Sequence, residues 1–554
     1  MSEDSKKSLL KQAGILAIAG VISRIIGFIY NIPLANIIGD EGNGYYGTAY
    51  QAYTIVLMIS AFSIPSAISK IIAGKLALNE YKSAHRIFKC ALYYVAIVGG
   101  VGSLLLFFGA NVFADDAGSA MVLRFFAPTV FLFGFLGVLR GYFQARRTMV
   151  PTSVSQLLEQ ILNAIVSVGG AIVLTNIAGN ADPSKRAVYG AVGSSLGTGT
   201  GVLTALIFMI IVYLSNKKSI YEKIESDKGS EMTNSDAFKL IITVVTPFIL
   251  STCIYNLSGF LNSTIFSRVL SDVRGMAHKG DFGIKFYYGI FIRKAMVITN
   301  IPIAFSAAAA SAMIPEISTA FAKGDKKGAE ETIAGVMRVM MMIAIPCAVG
   351  LFALANPIMW AMFPQKMSVD IATFYLALLA VTVIFYCVST VSNAVLQGTG
   401  RLKAPVVNAA VALVVQAVLL VALLVFTDMT GEALCIVTIV YSLLMCVLNN
   451  ISIRKYMDTK VDVKKTYVLP FIAAAVMGVV AYGVYKGMYM LIAPATASVN
   501  IRIPYFASIG VAVVIAIFVY FAVLIKIGGA AREDILKFPK GRSLVRTLEK
   551  IKLL

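Results

Sequence analysis

The sequence predicts an all-α polytopic membrane protein with about fourteen transmembrane helices. Composition is the first reason: 58% of residues are hydrophobic and 14% charged, where a soluble domain carries about 25% charge, and mean hydropathy is +0.82. The second is a succession of apolar runs, each long enough to cross a hydrocarbon core of about 30 Å. The third is a strict alternation in the loops, basic on one side and poor in net positive charge on the other.

In chain order the runs are 13–38, 45–74, 86–112, 121–145, 151–178, 187–214, 237–270, 284–313, 333–356, 367–394, 404–426, 431–453, 467–492 and 503–527. They are far too long for the tilted strands of a barrel. Loops after even-numbered runs are basic: Lys75, Lys82, Arg86 and Lys89; Arg146 and Arg147; Lys217, Lys218, Lys223 and Lys228; Lys323, Lys326 and Lys327; Arg401 and Lys403; then Arg454, Lys455, Lys460, Lys464 and Lys465. Lys6, Lys7 and Lys11 precede the first run, and a basic tail from Arg532 to Lys552 follows the last. The opposite loops hold mainly Asp40, Glu41, Asp115, Asp116, Lys185, Arg186, Arg274, Lys279, Lys366, Asp428, Glu432 and Arg502. The positive-inside rule then puts both termini in the cytoplasm and makes the helix count even.

The net charge of +20 belongs to these loops. No loop is large enough for a basic, aromatic-rich nucleic-acid surface, so no nucleic-acid partner is expected. The six cysteines have no CxxC spacing and the two histidines, His85 and His278, lie in loops, so no metal site is expected. The first apolar run is too long for a cleavable signal peptide. No GxxxxGK[ST] pattern occurs. No cofactor is expected, and energy would come from the membrane potential, an ion gradient or the substrate gradient.

The polar segment 215–236 reads as a cytoplasmic linker. It separates an N-lobe, 1–214, with six helices from a C-lobe, 237–453, with six more. An appendage of two helices, 454–527, and a basic cytoplasmic tail, 528–554, follow. The lobes echo each other. Ile64-Pro65-Ser66-Ala67-Ile68-Ser69 matches Ile301-Pro302-Ile303-Ala304-Phe305-Ser306 as I-P-x-A-x-S. Gln144 precedes Pro151 as Gln397 precedes Pro405, with a basic residue between in each case. The offsets are roughly 240 and 250 residues, and an even number of helices per repeat implies a parallel pseudo-two-fold along the membrane normal.

Polar residues at bilayer depth face a cavity or a partner. Arg24 lies in the first run on one face with Gly20, Gly27 and Asn31. In the fifth run Gln156, Glu159, Gln160, Asn163 and Ser167 fall at i, i+3, i+4, i+7 and i+11, a single helical face. That face meets either substrate or a neighbouring helix. Arg140 and Gln144 are one turn apart in the fourth run; Arg140 can pair with Glu159 as a structural salt bridge, and such a pair can still line a cavity. Asn256 and Asn262 lie in the seventh run, and Arg293 and Asn300 in the eighth. Lys294, beside Arg293, points elsewhere and can snorkel. Arg24, Arg140 and Arg293 against one deep acid, Glu159, favour an anionic substrate, and arginine forks suit phosphate. Pro65 and Pro302 are candidate hinges. Asp40, Glu41, Asp115 and Asp116 read as solvated outer caps.

Ser23-Arg24-Ile25-Ile26-Gly27-Phe28, Gly39-Asp40-Glu41-Gly42-Asn43-Gly44-Tyr45-Tyr46, Ile64-Pro65 to Lys70, Arg140-Gly141-Tyr142-Phe143-Gln144 and Pro151 to Gln160 together resemble the multidrug/oligosaccharidyl-lipid/polysaccharide exporter superfamily. The resemblance covers essentially the whole chain. Within that superfamily it is nearest the branch of stage V sporulation protein B and the Gram-positive type of MurJ lipid II flippase. It implies two six-helix lobes around an arginine-lined central cavity, and a lipid-tail groove made by the two extra helices. It also implies a transporter rather than an enzyme, one that moves an undecaprenyl-pyrophosphate-linked glycan, lipid II first among them, from inner to outer leaflet by alternating access. The chain would then be a monomer in a bacterial plasma membrane, contacting membrane lipids and cell-wall synthesis proteins. Tyr30 stands where a second arginine of the flippase motif often falls, and Gln51 and Ala52 occupy the place of an arginine expected early in the second helix. Arg293 is not spaced from Pro302 as in Gram-negative-type members, so a residue role carries over only for Arg24. Capsule, teichoic-acid and spore-cortex precursors are the other cargoes to weigh. A cation-coupled multidrug exporter would favour twelve helices and a more acidic cavity, and a membrane glycosyltransferase would need catalytic acids on large outer loops.

Overall fold

In hydrocarbon a chain must satisfy its own backbone N–H and C=O groups, and the helix does so within each segment. The computed structural model describes residues 3–179, 181–280, 282–322, 324–401, 403–455, 462–496, 500–530 and 545–546. Most of the expected basic tail, as well as Lys323 and Lys460, lies outside the described residues. Among those described there are helices and no strands. In order these are α1 (Glu3–Leu57), α2 (Ile64–Ala77), α3 (Tyr81–Phe108), α4 (Ala110–Phe113), α5 (Ala117–Ala145), α6 (Val150–Ala178), α7 (Pro183–Ser215), α8 (Lys217–Ser226), α9 (Asn234–Arg268) and α10 (Ile284–Gly289). Then come α11 (Met296–Ala322), α12 (Lys326–Ala353), α13 (Ala355–Met362), α14 (Val369–Leu379), α15 (Thr382–Gly398), α16 (Lys403–Phe426), α17 (Gly431–Arg454), α18 (Leu469–Thr496) and α19 (Arg502–Lys526).

Among the described residues ten helices are long and apolar enough to cross a membrane, or eleven if the bent pair α14–α15 is one span. The chain is a multi-pass membrane protein. At the start, Ile18–Ala77 holds two helices that meet at a kink at Gly39 with no loop between them. The sequence predicts a loop at 39–44. In the structure the helical path breaks there at Gly39 (φ 71°, ψ 176°), where two helices meet at a kink in a conformation open essentially to glycine alone. Asn43 Nδ2 donates to Ala35 O (2.9 Å) and Gly39 O (2.7 Å), which satisfies carbonyls that the interruption strips of partners.

Proline placement explains a second irregularity. The apolar pattern puts Pro65 in the interior of the second helix. In the structure it occupies the first turn of α2, where its missing N–H does no harm. A π-helical turn, Met58–Phe62, absorbs the change just before it. The matching Pro302 lies within α11, again downstream of a π-helical turn, Ile290–Ala295.

The described residues form two compact units, Met1–Gly289 and Ile290–Leu554. The division does not fall at 215–236. That segment carries α8 and docks along the start of α3: Asp227 Oδ2 accepts from Lys82 N (2.9 Å), and Arg86 grips Glu231 (2.6 Å) and Asn234 (2.8 Å). Asp227 thus caps α3 from a distant part of the chain. Its carboxyl is held below its ordinary value by the backbone N–H groups of Lys82 and Gly229. α9 then packs on α1, α2 and α3 and stays with the first unit.

In the first unit α6 and α7 pack along most of their length, and α5 lies against α3, α7 and α2. The α6–α7 approach needs glycine. A Cβ at Gly170 would lie 2.6 Å from Gly193 O, and one at Gly201 would lie 2.5 Å from Glu159 O. Gly193, Gly197 and Gly201 recur every fourth residue, the small-residue stripe that lets membrane helices close to backbone contact. In the second unit α18 packs on α19 and α12, α11 on α15 and α12, and α17 on α15 and α16. Its core is rich in methionine, with Met337, Met340, Met341 and Met342 all on α12. Tyr520 donates to Met342 O (2.9 Å).

Candidate functional site

The polar stripe of α6 divides into two halves with different neighbours. At its far end Ser167 donates to Ser194 O of α7 (2.8 Å) and bonds Asn163 (2.9 Å). Asn163 donates in turn to the Tyr30 hydroxyl of α1 (3.2 Å). Ser167 and Asn163 are buried, so this end is helix–helix cement. At the near end Arg140 Nη2 meets Glu159 Oε2 at 2.7 Å and Arg140 Nε donates to Ser155 Oγ (2.9 Å). The two charged side chains are 7% and 16% exposed. Arg140 therefore pairs with Glu159, and such a pair can still line a cavity. Gln156 and Gln160 are half-buried beside them. Gln156 Oε1 is buried with no hydrogen-bond partner among the described residues.

α1 supplies the facing wall. A Cβ at Gly27 would sit 3.8 Å from Gln160 Oε1, so the glycine face of α1 lies against the stripe. Arg24, one turn before Gly27, is exposed, and Asn31 is buried. Thus Arg24, Asn31, Arg140, Gln156, Glu159, Gln160 and Asn163 come from the packed trio α1, α5 and α6. Asn256 is half-buried on α9, one turn before Gly259, which abuts Gln51 of α1. Gln144 lies apart from the stripe, at the rim of a cavity by the α5–α6 turn. Arg293, Asn300 and Pro302 belong to the second unit, where Arg293 is half-buried, Asn300 exposed and Pro302 buried.

Glu159 neutralises Arg140, and Arg24 is the other arginine of this face. Two lysines, by contrast, are more buried than Arg24, Arg140 or Arg293. Lys294 does not snorkel: it is fully buried, donates to Gln365 (2.5 Å) and Ser368 (2.7 Å), and lies over the Phe363 ring. Lys285, which the sequence reading does not single out, is fully buried and meets Asp116 (2.9 Å), Thr48 (2.9 Å) and Ser267 (3.3 Å). A lysine just inside the eighth apolar run was the available signal.

Asp115 and Asp116 are accordingly not solvated caps, their side chains being 3% and 9% exposed. Burial raises both carboxyls. For Asp116 the Lys285 charge and bonds from Lys285 and Ser119 outweigh it, and its pKa is lowered. For Asp115 burial wins and its pKa is raised.

In the second unit Pro302, Met342, Pro346, Met477, Tyr520 and Phe521 help line an almost wholly apolar cavity of about 530 Å³ against α18 and α19.

The family profile described as polysaccharide biosynthesis protein matches residues 9–321, and that described as MatE matches 293–422. Lipid II flippase MurJ of Bacillus subtilis (strain 168) is 22% identical over 491 residues, 85% of this chain and 87% of that protein. Stage V sporulation protein B of the same organism is 25% identical over 486 residues, 86% and 89% of the two chains. Among solved structures, a lipid II flippase MurJ in an inward closed conformation superposes with a TM-score of 0.67 at 13% identity, covering 92% of this chain and 97% of that one. An inward-facing multidrug resistance MATE family transporter gives 0.61 at 13% identity, covering 78% and 94%. With a membrane fold of this kind and a profile match over more than half its length, the chain belongs to the polysaccharide biosynthesis protein family of the multidrug/oligosaccharidyl-lipid/polysaccharide exporter superfamily.

Proposed function

We propose that the protein is a flippase for an undecaprenyl-pyrophosphate-linked glycan, lipid II first among the candidates, and not an enzyme. The observation that carries the reading is the presence of two opposite kinds of surface suited to one amphipathic lipid. The first unit offers a polar face of α1, α5 and α6 that carries Arg24, while Glu159 is taken up by Arg140. The second offers an apolar cavity against α18 and α19, sized for part of an isoprenoid chain. A diphosphate favours the first and a hydrocarbon tail the second. The relatives named MurJ and stage V sporulation protein B, aligned over most of both chains, support the same substrate class.

On this reading both termini face the cytoplasm of a bacterial cell and the protein works as a monomer among membrane lipids. The transport repeats are 1–214 and 237–453, a division by sequence repeat that does not coincide with the compact units, and 454–527 supplies the lipid groove. Pro65 and Pro302, each preceded by a π-helical turn, serve as hinges for alternating access. The membrane potential or an ion gradient supplies the drive. A second reading, a cation-coupled multidrug exporter, is favoured by the MatE profile match at 293–422. Proteoliposomes separate the two. Purified protein should carry fluorescent lipid II to a leaflet where an impermeant quencher reaches it, and Arg24→Ala should not. Transport of a cationic dye without lipid II movement would favour the exporter.

A further inference from the structure

The turn joining α5 to α6 has a twin in the second unit. In the first, Arg147 N donates to Gln144 O (2.9 Å) and Thr148 N to Phe143 O (3.2 Å). In the second, Gly400 N donates to Gln397 O (3.0 Å) and Arg401 N to Leu396 O (2.8 Å). Residue for residue this is one helix-ending motif, closed by a left-handed residue. The second unit uses glycine there, Gly400 at φ 76°. The first uses Arg147 at φ 61°, where a side chain with a Cβ is strained. A strained non-glycine residue, where the twin turn shows that glycine serves, points to a role for its side chain.

What surrounds Arg147 indicates that role. It lines a cavity of about 750 Å³ together with Arg146, Lys223 and Gln144. Among the described residues no acidic side chain lines that cavity, so its charge is not neutralised locally as Arg140 is by Glu159. Arg146 is fixed in place, its guanidinium 4.8 Å from the ring centre of buried Tyr142. Its Nε is buried with no hydrogen-bond partner among the described residues, a donor left for an incoming acceptor. Val150 and Pro151, the first turn of the long helix α6, line the same space, so the positive end of that helix dipole adds to the field. Ala73, Leu76 and Ala77 of α2 supply an apolar wall.

We propose that this cavity is a binding site for a phosphate group, held by Arg146, Arg147 and Lys223 and by the start of α6. It is separate from the Arg24 face and does not depend on the transport reading. The same chemistry is offered by the headgroup of an anionic phospholipid and by a soluble diphosphate. Arg147→Gly is the decisive variant, because glycine relieves the strain and removes the charge together.

The full chain, wild type and Arg147→Gly, would be purified into phosphatidylcholine nanodiscs and titrated with radiolabelled inorganic pyrophosphate. In parallel, both would be placed in discs containing phosphatidylglycerol and the retained lipid counted by native mass spectrometry. The variant should melt at or above the wild-type temperature. A soluble ligand is indicated if pyrophosphate binds wild type and is weakened about tenfold in the variant, the scale of one charge-assisted arginine contact. A lipid ligand is indicated if wild type retains phosphatidylglycerol and the variant does not. The proposal is overturned if wild type takes neither probe, or if the folded variant takes both as wild type does.

Discussion

Arg140→Ala strands the carboxylate of Glu159. In the wild type the two side chains meet at 2.7 Å with only 7% and 16% exposure, and Ser155 completes the arginine's bonding. Removing one member of a buried pair costs about 3–5 kcal/mol, because the remaining charge is left without compensation. Glu159 keeps slight contact with the surface, so the loss should fall at the lower end, about 3 kcal/mol. Replacing both members by apolar side chains of similar volume is often close to neutral. Arg140→Met with Glu159→Leu should therefore recover most of what Arg140→Ala loses. Thermal unfolding of the purified chains, followed by size-exclusion chromatography with fluorescence detection, reads this directly. The single variant should melt several degrees below wild type and the double variant close to it. If Arg140→Ala melts with the wild type, or the double variant melts as low as the single, the pair does not hold α5 to α6 and the structural assignment of Arg140 fails. If the double variant is stable yet moves no lipid, the pair also serves transport.

Three further outcomes follow. Gly197→Leu should sharply reduce the yield of monodisperse protein, since its side chain would enter the backbone of α6 at Asn163 and Ser167; overpacking of this kind costs about 1–3 kcal/mol or more. Gly169→Leu on the same helix pair, with nothing within 4 Å, should be tolerated. For Asp116 the folded pKa is lowered, so its stabilisation is complete above the unfolded value of about 3.9 and is lost as pH falls through the folded value. The melting gap between wild type and Asp116→Asn should narrow as pH falls and close below about pH 4. Arg24→Ala should abolish lipid movement in proteoliposomes while leaving expression and melting temperature unchanged, because Arg24 is exposed on α1; a loss of folded protein would assign it a structural role instead.

The helices were legible because hydrocarbon leaves the backbone little choice and apolar length is written in consecutive residues. The stripe of α6 was legible for the same reason, its spacing being local. What each half of the stripe touches was not, since Ser194, Tyr30 and Arg140 come from other helices. The glycines every fourth residue on α7 would have given the α6–α7 contact away. Asp116 looked like a surface cap because its partner, Lys285, is remote in sequence. The same remoteness concealed the docking of 215–236, whose Asp227 and Glu231 read as linker charges until Lys82 and Arg86 are placed beside them. Pro65 was located in the right segment but in the wrong setting, because a π-helical turn has no sequence signature comparable to a cap.

The central claim, movement of a lipid-linked glycan, is tested most directly in the host cell. The protein would be depleted and outer-leaflet lipid II measured with an impermeant probe, alongside the total pool. The account predicts that outward-facing lipid II falls while the inner pool rises, and that wild type restores it where Arg24→Ala does not. Unchanged exposure of lipid II, with unchanged exposure of capsule, teichoic-acid and spore-cortex precursors, would contradict it.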